Sequence, residues 1–149
     1  MEKLAAVSSS QLFDMLSSAE LSHLAELAEQ RDYRAGDLVF EEGELGDCLY
    51  VILEGEVEVV RRDGGGTPRA LQVLGAPDFF GEMSVIDKEY RSATVRARTP
   101  ARLMRLTTRH LATFRQTYRD GFTFVVVNIA RSLSARLREA NARLSARQG

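Results

Sequence analysis

Phe80-Gly81-Glu82-Met83-Ser84-Val85-Ile86 stands four residues ahead of Arg91-Ser92-Ala93-Thr94-Val95, and these two segments decide how the chain is read. A glycine lets backbone come close to a bound group because it has no Cβ. A carboxylate accepts charge-assisted hydrogen bonds from hydroxyls, and a guanidinium presents a rigid fork of donors to an anion. Met83, Val85 and Ile86 supply apolar anchors between the two charges, with Ser84-Val85-Ile86 expected as a single helical turn whose free amides face the anion. A loop with only a scaffolding role has little use for an acid and a base at its two ends. Gly81, Glu82, Met83, Ser84, Arg91, Ser92 and Ala93 are therefore candidate binding residues for a ligand that carries both a sugar-type hydroxyl and a phosphate.

On both sides of this stretch the apolar residues have the period of strands. Leu38-Val39-Phe40, Leu49-Tyr50-Val51-Ile52-Leu53 and the alternation Val57, Glu58, Val59 precede it, and Leu71, Val73 and Leu74 form a further short strand. Ala93 to Arg98 alternates again, and Arg102 to Leu106 follows the break at Pro100. Turns at Gly43 to Asp47, at Gly55 and at Asp63-Gly64-Gly65-Gly66-Thr67-Pro68 separate these runs. Short strands with frequent glycine turns predict an antiparallel jelly roll or small barrel over residues 32–107.

The flanks have a helical period. Leu12, Leu16, Leu21, Leu24, Leu27 and Ala28 recur mostly at three- or four-residue steps, and Ser17 and Glu20 stand in capping-box register. Helices are expected near residues 10–16 and 18–30, within an N-terminal helical part at 1–31. A C-terminal helical part covers 108–149: a short helix from Thr108 to Phe114, a hinge at Gly121, then one long helix from about Phe122 to Arg147. The fold class is α+β, an antiparallel β jelly-roll barrel flanked by N-terminal helices and a long C-terminal helix. One domain over 1–149 is expected, with no linker and no internal repeat.

Composition narrows the functions. The 149 residues are 44% hydrophobic and 28% charged with a net charge of -1, which suits a globular chain and supplies no overall basic field for nucleic acid. One cysteine, Cys48, excludes an intrachain disulfide. No apolar run is long enough to span a membrane, and the first residues lack the apolar region of a signal peptide, so the cytoplasm is the expected compartment. His23 and His110 are far apart without a Cys or acid cluster at ligand spacing, so no metal site is expected. Cys48 has no local base, Gly64-Gly65-Gly66 has no P-loop lysine, and no catalytic triad is legible, so an enzyme is not expected.

On the residues quoted above, the chain resembles a cyclic nucleotide-binding domain, the sensor domain of catabolite activator-like regulators. Residues 80–95 follow that family's phosphate-binding cassette: Phe-Gly-Glu, a short apolar or small stretch, then Arg, a small residue, Ala and Thr. The resemblance implies that Glu82 takes the ribose 2'-hydroxyl and that Arg91 takes the phosphate, with Ser92 and the Ala93 amide adding bonds. Val73 would line the ligand, and Arg136, near Leu137 on the long helix, would cap the base. Ser84 stands where alanine is common and Tyr90 where proline is common, and neither change removes a ligating group. Ser92 after the arginine favours cAMP over cGMP as the ligand. A transcription-factor branch adds a helix-turn-helix domain beyond the long helix; with the sequence ending at Gly149, the expectation is a stand-alone regulatory module. The competing expectation is an interaction scaffold that keeps the fold, binds no nucleotide and pairs Glu82 with Arg91.

The long helix supplies the expected output. Val126, Leu133 and Ala140 are spaced by seven, as are Ala130, Leu137 and Leu144, which interleave into an a/d seam. That seam predicts a homodimer through a parallel helix pair, against the alternative that it packs on the chain's own barrel. Arg131, Arg136, Arg138, Arg143 and Arg147 against Glu139 read as a solvated face, so DNA and membrane are not expected partners. Ligand on the cassette would shift how the Gly121 hinge and long helix pack, presenting a surface to an effector protein that the sequence does not name.

Overall fold

The computed structural model describes residues 1–88 and 90–148. Among them the chain forms α1 (Lys3–Ser9), a 3-10 turn (Gln11–Phe13), α2 (Ser18–Leu27), β1 (Glu29–Tyr33), β2 (Leu38–Phe40), β3 (Cys48–Glu54), β4 (Glu56–Arg62), β5 (Pro68–Gly75), β6 (Phe79–Phe80), α3 (Met83–Ile86), β7 (Thr94–Ala97), β8 (Ala101–Thr107), α4 (Thr108–Thr117) and α5 (Arg119–Gln148). The strands make two antiparallel sheets, in the orders β1-β8-β3-β6 and β2-β7-β4-β5. The sheets face each other as a jelly roll. No strand pairing joins them among the described residues, so the expected barrel is an open sandwich.

Three layers follow from the burial pattern. β3 is buried at every position from Cys48 to Leu53 because it lies in the middle layer. Its Cys48, Tyr50 and Ile52 join Val57, Phe80, Val95, Ala97 and Leu103 between the two sheets. Its Leu49, Val51 and Leu53 face Met104, Leu106 and the helices, where Leu12, Leu24, Leu111, Phe114, Val125 and Ile129 are buried. A strand covered on both faces reads as a continuous apolar run, as Leu49 to Leu53 does, while β4 and β7 face solvent on one side and alternate.

The caps are local and specific. Ser17 Oγ accepts from the Glu20 amide and Glu20 Oε1 accepts from the Ser17 amide, the capping box expected at α2. Thr107 does the same for α4, with His110 Nδ1 in the acidic residue's place accepting from the Thr107 amide at 3.1 Å.

Several expectations are corrected. α1 falls within the expected N-terminal helical part, but its buried Ala6 and Val7 are too short an apolar signal to place it, and the helix expected near residues 10–16 is only a 3-10 turn over Gln11–Phe13. α2 ends at Leu27, short of residue 30, because Glu29 to Tyr33 pairs with β8 as an edge strand. That strand is held by charge, with Arg102 Nε donating to Asp32 at 3.0 Å and Arg105 to Glu29 at 3.3 Å, so it shows no apolar alternation. The break before the long helix falls at Tyr118 and not at Gly121. Gly121 lies in the first turn of α5, where a Cβ would run into the Glu20 carboxylate and stand 2.9 Å from Phe114 Cζ. It is a site of close helix packing, not a hinge. Gly149 lies outside the described residues, as does the side chain of Arg147.

Candidate functional site

The cassette hangs between the two sheets and the helical layer. β6 pairs with β3, Tyr50 opposite Phe80, and the two rings stack at 5.1 Å. Immediately beyond, the chain turns at Gly81 with φ +76°, where a Cβ would sit 2.8 Å from Arg91 Nη1. Glycine is required there both for the backbone angle and for the approach of the arginine. α3 follows, and the return leg is pinned by the β2–β3 turn. The Arg91 amide donates to the Glu44 carbonyl at 2.6 Å, and the Gly43 amide donates to the Arg91 carbonyl at 2.8 Å. Thr94 Oγ1 accepts from the Glu42 amide at 2.9 Å.

Arg91 is 8% exposed. Its Nη1 donates to the Gly81 carbonyl at 3.2 Å and to Ser84 Oγ at 2.9 Å. Its Nη2 donates to the Cys48 carbonyl at 2.8 Å and touches the Cys48 thiol at 3.4 Å. Glu82 is 3% exposed, and its Oε1 accepts from Nη1 of Arg136 in α5 at 2.9 Å. The pairing expected of a purely bracing loop, Glu82 with Arg91, is therefore not the one formed. The two buried charges have separate partners at opposite ends of the cassette.

The other expected residues are placed as follows. Ser84 and Ala93 are buried, Met83 is half-buried against the helical core, and Ser92 is exposed with its carbonyl accepting from Arg61 Nε at 3.1 Å. The helical turn starts at Met83, one residue early. The amides of Ser84 and Val85 donate back to the Gly81 and Glu82 carbonyls at 3.4 and 3.1 Å, so these two do not stand free. Val73 is exposed on β5 opposite Glu58. A cavity of about 310 Å³ between β5 and α5 is lined by Leu71, Gln72, Arg136, Glu139, Ala140 and Arg143, and Val73 is not among them. The β4–β5 register shifts between Val59 and Val60, leaving Leu71 as the extra residue. Such a bulge re-aims side chains, which brings Leu71 and Gln72, instead of the alternating Val73, toward α5.

Three groups at the site escaped the reading of the residues: Phe40, whose ring lies 4.0 Å under the Arg91 guanidinium, Gly46, and the Cys48 carbonyl. Each touches Arg91 only through strand register and turn folding, for which no local pattern exists. Beyond the cassette, Asn128 of α5 is buried and donates to the Leu12 and Asp14 carbonyls at 3.0 and 2.9 Å, fixing the helix to the 3-10 turn. A larger cavity of about 460 Å³ lies over the outer side of β2, β4 and β7 and meets the cassette only at Thr94. Its lining mixes Glu41 and Glu42 with Arg62 and Arg96, and no buried charge points to a ligand there. Inside the sandwich, burial pushes the phenols of Tyr50 and Tyr33 up from their ordinary value.

A family model for the cyclic nucleotide-binding domain matches residues 30–118. The chain is 36% identical over 138 residues to a cyclic AMP receptor protein of Thermus thermophilus, a match covering 91% of this chain and 61% of that protein. A crystal structure of Thermus thermophilus catabolite activator protein superposes with a TM-score of 0.81 at 33% identity, covering 91% of this chain and 62% of that one. A cyclic nucleotide-binding domain from Methylobacillus flagellatus superposes with a TM-score of 0.82 at 29% identity, covering 95% and 80%. The chain thus spans less than two thirds of the Thermus protein's length.

Proposed function

The chain belongs to the cyclic nucleotide-binding domain family, and from that premise we propose that it is a sensor that takes cAMP in its cassette and signals through α5. The observation that carries the proposal is the pair of buried, opposite charges Glu82 and Arg91 on one short loop, each held by a partner other than its neighbour. Burying two charges is costly unless each is bonded, and charges held in this way are concentrated at binding and catalytic sites. Glu82 takes the ribose 2'-hydroxyl, Arg91 the phosphate, and Ser92 and the Ala93 amide add bonds. Arg136 lies against the base, in the cavity it shares with Leu71 and Gln72. Each charge-assisted bond is worth about 1.5–3 kcal/mol. Three of them with base burial reach the roughly 8 kcal/mol of a micromolar complex once association costs are met.

The preference for cAMP over cGMP rests on Ser92 and on the cyclic AMP receptor protein among the relatives. The output follows from the Glu82–Arg136 pair. A hydroxyl bonded to Glu82 competes with or reorders the contact that ties the cassette to α5, and so shifts the population of helix positions. The heptad stripe on α5 then pairs with a second copy, and an effector protein reads the result. No helix among the described residues is long and apolar enough to cross a membrane.

One further observation favours the competing scaffold reading. The Nη groups of Arg91 and the Glu82 carboxylate already have protein partners. Calorimetric titration of unfolded and refolded protein with cAMP and cGMP side by side decides between them. Micromolar or tighter binding, cAMP ahead of cGMP, is expected. Absence of heat with both from properly refolded protein would leave the scaffold.

A further inference from the structure

We propose that Phe40 and Gly46 are the two walls of a slot that positions the Arg91 guanidinium for an anionic ligand, an inference that rests on the sensor reading above. The centre of the guanidinium stands 4.0 Å from the centroid of the Phe40 ring. A Cβ added at Gly46 would come within 2.8 Å of both Arg91 Cζ and Arg91 Nε and would run into Ser84 Oγ. The guanidinium is thus enclosed by an aromatic ring and by bare backbone. Its Nη edge is held at Gly81, Ser84 and Cys48, and Nε has no protein acceptor among the described residues. A planar cation held this way keeps one orientation, and Nε–H is the donor available to an incoming phosphate oxygen.

The ring is itself held. Phe40 closes β2, and its ring meets Tyr50 at 6.1 Å and Phe80 at 5.9 Å, while Tyr50 and Phe80 stack on each other. Phe80 opens the cassette and immediately precedes Gly81, so the aromatic cluster joins both sheets to the start of the cassette. A positive charge over an aromatic face is attracted by the ring quadrupole, more strongly when water is excluded, as it is around an 8% exposed arginine. An aliphatic side chain of similar size fills the space but supplies no such face. Gly46 lies outside the left-handed region of backbone angles. An alanine there is therefore tolerated by the backbone and penalised only by collision with Arg91 and Ser84, which makes it a clean second probe.

The test is calorimetric titration of the full, refolded chain with cAMP, carried to millimolar nucleotide. The proteins are wild type, Phe40→Leu, Phe40→Tyr, Gly46→Ala, Arg91→Ala and the Phe40→Leu/Arg91→Ala double variant, each checked for a cooperative melt. Phe40→Leu is expected to weaken binding about tenfold or more, the effect of losing a desolvated cation–π contact, and Gly46→Ala is expected to weaken it comparably by pushing Arg91 and Ser84 out of place. Phe40→Tyr, which restores the ring face, is expected to recover most of the affinity. Once Arg91 is gone, Phe40→Leu should add nothing. Wild-type affinity in both Phe40→Leu and Gly46→Ala would overturn the slot, and so would an equal loss from Phe40→Leu with and without Arg91, because a general packing defect behaves that way. If Phe40→Leu fails to fold, Gly46→Ala decides alone. A wild type that binds no cyclic nucleotide would bring down the sensor reading and the slot together, a different result from wild-type binding that is indifferent to Phe40→Leu.

Discussion

Glu82 in the cassette and Arg136 in α5 form an ion pair at 2.9 Å in which the carboxylate is buried and the arginine side chain is 55% exposed. It joins the residue expected to hold the ribose to the helix expected to carry the output. Breaking a fully buried pair costs about 3–5 kcal/mol because one charge is left alone. Half-exposure of Arg136 lets water replace part of that. Arg136→Ala should therefore destabilise the protein by about 1–2 kcal/mol. Glu82→Gln should cost less, and a double variant should show that the two losses overlap. Thermal melting of the four proteins measures this; simple additivity would mean that the pair does not couple cassette and helix.

Arg91→Leu should weaken cAMP binding by about tenfold to several hundredfold, the range for losing one or two charge-assisted bonds. It should also lower the melting temperature, because the Gly81 and Cys48 carbonyls that accept from Arg91 lose their donor. Calorimetry read beside a melting curve separates the two effects. Wild-type affinity in Arg91→Leu would remove the arginine from the site.

How much of this was legible depends on whether a signal is local. β3, β4, β7 and β8 were legible because runs and alternations of apolar residues report which faces are covered. β1 was not, since an edge strand held by Asp32 and Glu29 against Arg102 and Arg105 carries no such pattern. Gly81, Glu82 and Arg91 stood out as a joint motif. Phe40 and Gly46 did not, because they meet Arg91 only through the β2–β7 register and the turn before β3. Asn128 was missed for the same reason: the carbonyls it binds are more than 110 residues away in the chain. Gly121 was misread because glycine signals both freedom and close packing, and only its neighbours Glu20 and Phe114 tell the two apart.

Alkaline pH should destabilise the protein through Tyr33 and Tyr50. Burial disfavours the phenolate of each and raises both above the ordinary value of 10.0. Between the unfolded and folded values the folded state binds more protons, so stability falls with rising pH in that window. The stability these phenols allow is fully present below about pH 10 and is lost above it. Urea unfolding at pH 8, 9, 10 and 11 should show the midpoint falling mainly in the last step. A Tyr33→Phe/Tyr50→Phe variant should show a shallower fall; an identical slope would assign the alkaline loss to other groups.

The seam on α5 leads to the last prediction. Leu133, Leu137 and Leu144 are 38%, 57% and 54% exposed, and Ala130 and Ala140 are exposed with them. The leucines of the stripe therefore do not pack on the chain's own sheets, as the alternative expectation required, although Ala140 lines the cavity between α5 and β5. Val125 and Ile129, which point the other way, are the ones buried in the helical core. A helix end with no tertiary packing is only marginally stable in water, and heptad-spaced leucines gain most from a parallel partner helix. The protein should have a dimeric mass by light scattering at micromolar concentration and above. Leu137→Glu with Leu144→Glu should convert it to monomer by placing like charges in the seam, with loss of helical ellipticity from the freed end of α5. A monomeric mass for the wild type at high concentration would sink the second-copy reading and leave the stripe for a different partner.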